Sequence, residues 1–252
     1  RAGISGIGNY YGYFTTSFSI TYGRISNCDI TVSNESLVFD GTEKKPAVTV
    51  TCNGNTLTQG QDYTLYYHAN TNAGSATVTI TGKGRFSGSV EKAFQIQPAD
   101  LSRSSVDLSA DSFTYDGTEK KPSVTVKTGN RQLTANSDYT VSFVNNTNAG
   151  SATVTVTGKG NYSGSVTKNF TISAASLEKA ELALSASSFT YDGTEKKPDV
   201  TVTVNKKQLK KGTDYTVSYD NNTNIGTASV TITGKGNYSG TVTKSFQITA
   251  RD

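Results

Sequence analysis

An eight-residue string returns three times in this chain: FDGTEKKP from Phe39, YDGTEKKP from Tyr115 and YDGTEKKP from Tyr191, each start 76 positions after the last. A second string keeps the same interval: GKGRFSG from Gly82, then GKGNYSG from Gly158 and from Gly234. One interval earlier, at Gly6, the chain reads GIGNYYG. Residues 1–21 therefore read as the C-terminal strands of a truncated preceding repeat. Three full copies come next, at 22–97, 98–173 and 174–252, and they align without insertion or deletion. A fixed period of this length marks a tandem array, in which each copy is one structural unit.

Each copy is written in the vocabulary of strands and tight turns. Tyr139, Val141 and Phe143 alternate with Thr140 and Ser142, which gives one apolar and one polar face at period two. Tyr215, Val217 and Tyr219 repeat the pattern, as do Tyr63, Leu65 and Tyr67. Val124 and Val126 alternate after Pro122, and Val200 and Val202 after Pro198. Breaks rich in Asn and Gly (NNTNAG, GKGN) separate these runs, as hairpin and loop chemistry requires. Six or seven short strands in 76 residues predict a small antiparallel β-sandwich, repeated in tandem. The stretch SAASLEKAEL from Ser173 reads as a linker running into the next first strand. The linkers near residues 97–100 and 173–176 are expected to be the points most open to proteolysis.

In YDGTEKKP the aromatic residue is expected to pack inward. Asp116-Gly117 starts a turn, Pro122 opens the next strand where its missing N–H is harmless, and the Glu-Lys-Lys trio is left on a loop surface. Two carboxylates with no further acid nearby are too few for calcium, which takes six to eight oxygens.

The strings YDGTEKKPxVTV and DYTVSYxNNTNxGTAxVTITGKGNYSGTVTKSF resemble bacterial immunoglobulin-like repeats, found in tandem in large secreted and surface-anchored proteins of Gram-positive gut bacteria. The resemblance covers all three copies and the leading fragment. It implies an all-β tandem array of immunoglobulin-like β-sandwiches outside the cell, acting as a stalk or spacer beside flanking domains of the same precursor.

Other function classes find little support. A net charge of +4 is mild and scattered, not the clustered basic face of a nucleic-acid binder. No apolar run approaches the ~18 residues of a membrane span. A Ser-His-Asp arrangement needs a base, and the single His68 is replaced by Val144 and Asp220 in the other copies. One His and two Cys fall short of a zinc site. Gly82-Lys83-Gly84 lacks the frame of a phosphate loop and reads as a turn. The chain is expected to be no enzyme and to need no cofactor. Two options remain beside the stalk. A Lys–Asn isopeptide link could use Lys120, Asn146 and Glu119, but requires a buried, neutral amine. A glycan or host protein could be held by exposed aromatics: Tyr66, which replaces Ser142 and Ser218 on the outward face, and the cluster Tyr10, Tyr11 and Tyr13.

Cys28 and Cys52 are a disulfide candidate. Cys28, Ile30 and Val32 share one strand face, and Val48, Val50 and Cys52 another. Pairing these strands with 32 opposite 48 sets 28 opposite 52, with both sulfurs on one side. Ser104 with Thr128, and Ala180 with Val204, stand at these positions in the other copies, so the pair changes together. The alternative is two separate buried thiols.

Overall fold

The structure, a computed structural model, describes residues 2–5, 8, 13–17, 23–33 and 36–251. It is all-β, an immunoglobulin-like tandem array whose one helical element among the described residues is a 3₁₀ turn at Ile25–Asn27. The same two sheets recur in each copy. In the third, a four-stranded sheet runs in the order Ser188–Thr190, Thr241–Thr249, Gly226–Gly234, Tyr215–Asp220. A three-stranded sheet runs Glu181–Leu184, Val200–Val204, Lys207–Gln208. Alternation sets the core: Val202, Val230 and Ile232 are fully buried between the sheets, with Tyr215 and Tyr238 closing the cluster. A second cluster of Ala228, Phe246 and Ile248 fills the other end, beside Phe189.

Two features depart from the expected antiparallel sandwich. Ser188–Thr190 pairs parallel to Thr241–Thr249, and so do its counterparts in the other copies. A short strand lying along a sheet edge can pair in either direction, because two or three residues carry no periodic signature of their partner.

The linkers are the second departure. Ile25, Leu101 and Leu177, 76 residues apart, are each wholly buried. Ala175–Ser176 pairs parallel to Tyr238–Ser239, and Leu177 N–H donates to the Ser239 carbonyl at 2.9 Å. Leu101 and Leu177 thus anchor the chain directly after 97–100 and 173–176, the segments expected to be most open to proteolysis, where Ala175 is the one buried residue.

By contact density the chain forms two compact units, residues 1–99 with 160–163, and residues 100–159 with 164–252. The second holds the third copy and all of the second copy except residues 98–99 and 160–163. In the first, Ala2–Ser5 pairs antiparallel to Tyr13–Thr16 with Ser5 opposite Tyr13. Thr81 stands opposite Ser89 in the same register, one period on.

Candidate functional site

Each copy carries a tip loop and, at its other end, the octapeptide with an Asn-rich loop beside it. The tip at Gly234–Gly240 needs its first glycine. A Cβ at Gly234 would lie 2.7 Å from the Ser239 backbone nitrogen, so no other residue fits without moving the chain. The lysine of GKG pins the loop inward: Lys235 Nζ donates to the Gly212 carbonyl at 3.1 Å, as Lys159 does to Asn136 and Lys83 to Gly60. This is turn chemistry.

The octapeptide is an Asx turn. Asp116 Oδ1 accepts the Thr118 N–H at 2.8 Å and the Thr118 hydroxyl at 2.6 Å. Lys120 Nζ folds back onto the Asp116 carboxylate and donates to Thr118 Oγ1 at 2.9 Å. The same construction recurs at Asp40 and Asp192. Hydrogen bonds from the lysine, then from the threonine, hold all three aspartates well below the usual carboxylate range. The surface reading of the Glu-Lys-Lys trio holds for Glu119 and Lys121, an exposed ion pair, but not for Lys120, which is 8% exposed. Its ammonium is paired with Asp116.

This also removes the isopeptide option. Asn146 Nδ2 donates to the Lys120 backbone carbonyl at 3.0 Å, and Lys120 N–H donates to the Asn146 carbonyl at 2.7 Å. The amide faces backbone, the amine is paired with Asp116 and Thr118, and Glu119 points to Lys121. What Lys120 and Asn146 do is fasten the octapeptide to the Asn-rich loop.

In the second unit the tip of the third copy closes on these two loops of the second. Asn237 Oδ1 accepts the Ala149 N–H at 2.8 Å, and Asn237 Nδ2 donates to Asn148 Oδ1 at 3.1 Å. The rings of Tyr115 and Tyr238 meet edge to face at 5.6 Å, with Lys207 Nζ 5.7 Å from the Tyr115 centroid. The two phenol oxygens around Lys207 raise its pKa, and burial raises that of Tyr238. Within the first unit the pattern is the same one period earlier. Asn161 accepts the Ala73 N–H and donates to Asn72, and Tyr162 meets Phe39 edge to face at 5.5 Å. Reading GKGNYSG as a plain turn misses its Asn and Tyr, which are the joint's working parts. The signal for them is their return at 161–162 and 237–238 beside Arg85-Phe86 in the first copy.

The remaining candidates stand apart from this joint. Cys28 and Cys52 are joined, with Cα atoms 4.6 Å apart, and the flanking strands pair with Asp29 opposite Thr51 and Ile30 opposite Val50. At the matching positions Ser104 Oγ and Thr128 Oγ1 lie 2.9 Å apart, while Ala180 and Val204 belong to the apolar core of the third copy. Tyr66 is 68% exposed on the edge strand Tyr63–His68, beside a shallow depression of about 260 Å³ lined also by Glu43, Lys45 and Asn70. Tyr10 and Tyr11 lie outside the described residues, and of Tyr13 only the backbone is described, in strand Tyr13–Thr16. Among the described residues no three of His, Cys, Asp and Glu gather to hold a metal ion, and no helix is long and apolar enough to cross a membrane.

Comparison with known proteins bears on the later copies. The family described as bacterial Ig-like domain (group 3) matches residues 114–174, and the family described as MBG domain matches residues 180–252. No curated protein matches the chain. Among solved structures, a protocadherin gammaB7 EC3-6 cis-dimer is 11% identical, covering 88% of this chain and 73% of its own at a TM-score of 0.26. PcdhgB3 EC1-4 in 50 mM HEPES is 12% identical, covering 90% and 65% at a TM-score of 0.20. Likenesses this slight add nothing to the fold already described. Residues 114–174 are thus similar to a bacterial Ig-like domain and residues 180–252 to an MBG domain, and residues 22–97 repeat their strands at the same interval.

Proposed function

We propose that the chain is a non-catalytic spacer, a stalk segment of a bacterial secreted or surface protein that holds flanking domains of the same precursor away from a surface. The observation that carries this reading is the joint: Asn237 and Tyr238 occupy the second copy's loops, and the same contacts recur one period earlier. A linker without such contacts would leave neighbouring domains free to swing. Each of the copies 22–97, 98–173 and 174–252 is its own sandwich in this reading, and residues 1–21 are the closing strands of another. Small-angle scattering on chains of two, three and four copies tests it. The spacer reading expects the maximum dimension to grow by a constant step per copy. A dimension that saturates, or a catalytic activity, contradicts it.

Outside the cell Cys28–Cys52 stays oxidised in this reading, the setting in which disulfides persist. Thiol titration of the denatured, unreduced protein finds no free thiol if so, and two per chain if not.

A second reading rests on Tyr66, exposed at 68% where the other copies carry Ser142 and Ser218. An outward ring beside a shallow polar depression suits the face of a sugar or a host protein side chain. A glycan array comparing the parent with Tyr66→Ala decides it. Specific binding that the substitution abolishes supports a binding module, and identical, empty arrays remove it.

A further inference from the structure

We propose that the face of the third copy made by Tyr191, Gly193, Asn224 and Ile225 is a seat for the Asn–Tyr tip of a further repeat, joined in cis after residue 252. This rests on the spacer reading and names the partner that its last described face accepts.

Continuity with a joint already occupied supports this seat. Tyr191, Asn224 and Ile225 are the counterparts of Tyr115, Asn148 and Ala149, whose partners are Tyr238 and Asn237. The aromatic residue opening the octapeptide is 6% exposed at Phe39, half-buried at Tyr115 and 37% exposed at Tyr191. Gly117 looks toward Lys207 Nζ, 3.9 Å from where its Cβ would lie; Gly193 has nothing within 4 Å. Among the described residues nothing covers this face.

The seat is nonetheless already shaped. Asn222 Nδ2 donates to the Lys196 carbonyl at 2.9 Å, as Asn146 does to Lys120. Asn221 and Gly226 keep the positive φ of Asn145 and Gly150, 53° and 135° against 58° and 137°. The loop therefore holds its bound form before anything binds, which removes an ordering cost. Ile225, 57% exposed where the occupied joints have Ala73 and Ala149, adds apolar area to the same spot.

Charge and hydrogen-bond chemistry select the occupant. Ile225 N–H needs an acceptor and Asn224 Oδ1 needs a donor, a pair that one asparagine amide supplies. The tip of the first copy carries Arg85 there, and a guanidinium accepts no hydrogen bond, so a second molecule docking head to tail by that tip leaves Ile225 N–H unmet; a second molecule has an asparagine to offer at Asn9, the case that the concentration dependence below reads.

The test extends the chain in register, with residues 1–250 followed by a second copy of residues 175–252. Amide exchange is followed at Ile225 in the parent and in the extended chain. Docking slows exchange at Ile225 by about tenfold or more. Replacing the appended counterpart of Asn237 by Ala returns it toward the parent rate while the appended core amides stay protected. An unchanged Ile225 rate with a folded appended copy overturns the proposal. Ala149, in the same spectra, separates the two failures. If it exchanges slowly while Ile225 does not, only the seat fails; if it too exchanges freely, the joint itself falls, and the proposal with it. Protection of Ile225 that grows with parent concentration assigns the face to a second molecule and overturns the cis occupant.

Discussion

Tyr115 and Tyr191 open the same octapeptide at the same point of two successive copies, and their Asx turns and buried-lysine contacts are built alike. Yet Tyr115 packs against Tyr238 under Lys207, while Tyr191 is 37% exposed. The difference lies in the neighbour, since the loops themselves are the same: the second copy has the third against its end face, and the third has no described copy beyond it. An array unit of this kind keeps two sets of residues: those that fold the copy, and those that become interior only when a neighbour arrives. The octapeptide's Asp, Thr and first Lys belong to the first set, and its aromatic residue belongs to the second.

A contrast inside the copies gives the largest expected effect. Where the first copy has Cys28–Cys52, the second has a hydroxyl pair and the third an apolar contact. Replacing both cysteines by serine should lower the stability of the first copy by roughly 3 kcal/mol, because the loop closed by the link regains its freedom when unfolded. Ala180→Ser with Val204→Thr, which imports the second copy's pair into the third, should cost less. Differential scanning calorimetry resolves the two, and equal losses would mean that the link adds little beyond packing.

Tyr115→Ala and Tyr191→Ala break the central contrast directly. The first removes a half-buried ring and its edge-to-face partner, for about 2 kcal/mol in thermal or urea unfolding of the second unit. The second touches a solvent-facing ring, for about 0.5 kcal/mol or less. Similar losses at both positions would show that the ring serves its own copy rather than the joint. Asn237→Ala should cost about 1 kcal/mol in the same assay, by orphaning the Ala149 N–H. Arg85→Ala at the equivalent tip, where the side chain is 84% exposed, should fall within the error of the measurement.

The smallest effect is shared by every copy and sharpens the contrast by its sameness. Asp40, Asp116 and Asp192 have folded pKa values held below their unfolded value of about 3.9. A depressed carboxyl stabilises the fold above the unfolded pKa and loses that contribution as pH falls toward the folded one. Stability should therefore decline below about pH 4 in all three copies alike, and Asp192→Asn should remove the third copy's share of that decline. An acid profile unchanged in the Asp192→Asn protein would mean that the Asx turn does not depend on its charge.

Much of this was legible in the residues. The period gave the interval at which the sheets recur, alternation gave the inward phase of Tyr139, Val141 and Phe143, and the cysteines gave a register that Ile30 opposite Val50 obeys. The joint was less legible, for a physical reason. Period-two patterning reports burial within a sheet, whereas Tyr115, Asn148 and Asn237 sit on loops whose environment comes from another copy. The anchoring of the linkers was not read either, although Ile25, Leu101 and Leu177 stood at one position of the period as a sign of burial. Lys120 misled as well. A charge pair usually marks a solvated loop, and only the Asp-x-Thr-x-Lys spacing hinted that one ammonium folds back.

The central claim, that a copy's end face is closed by the tip of the copy after it, is tested most directly in the unaltered protein. Ala149 and Ile225 occupy one position of the same loop in two copies, so their intrinsic exchange environments are closely matched. Native-state amide exchange should find Ala149, bonded to Asn237 Oδ1 at 2.8 Å, markedly slower than Ile225. Equal rates at the two positions, after correction for side-chain effects, would contradict the account.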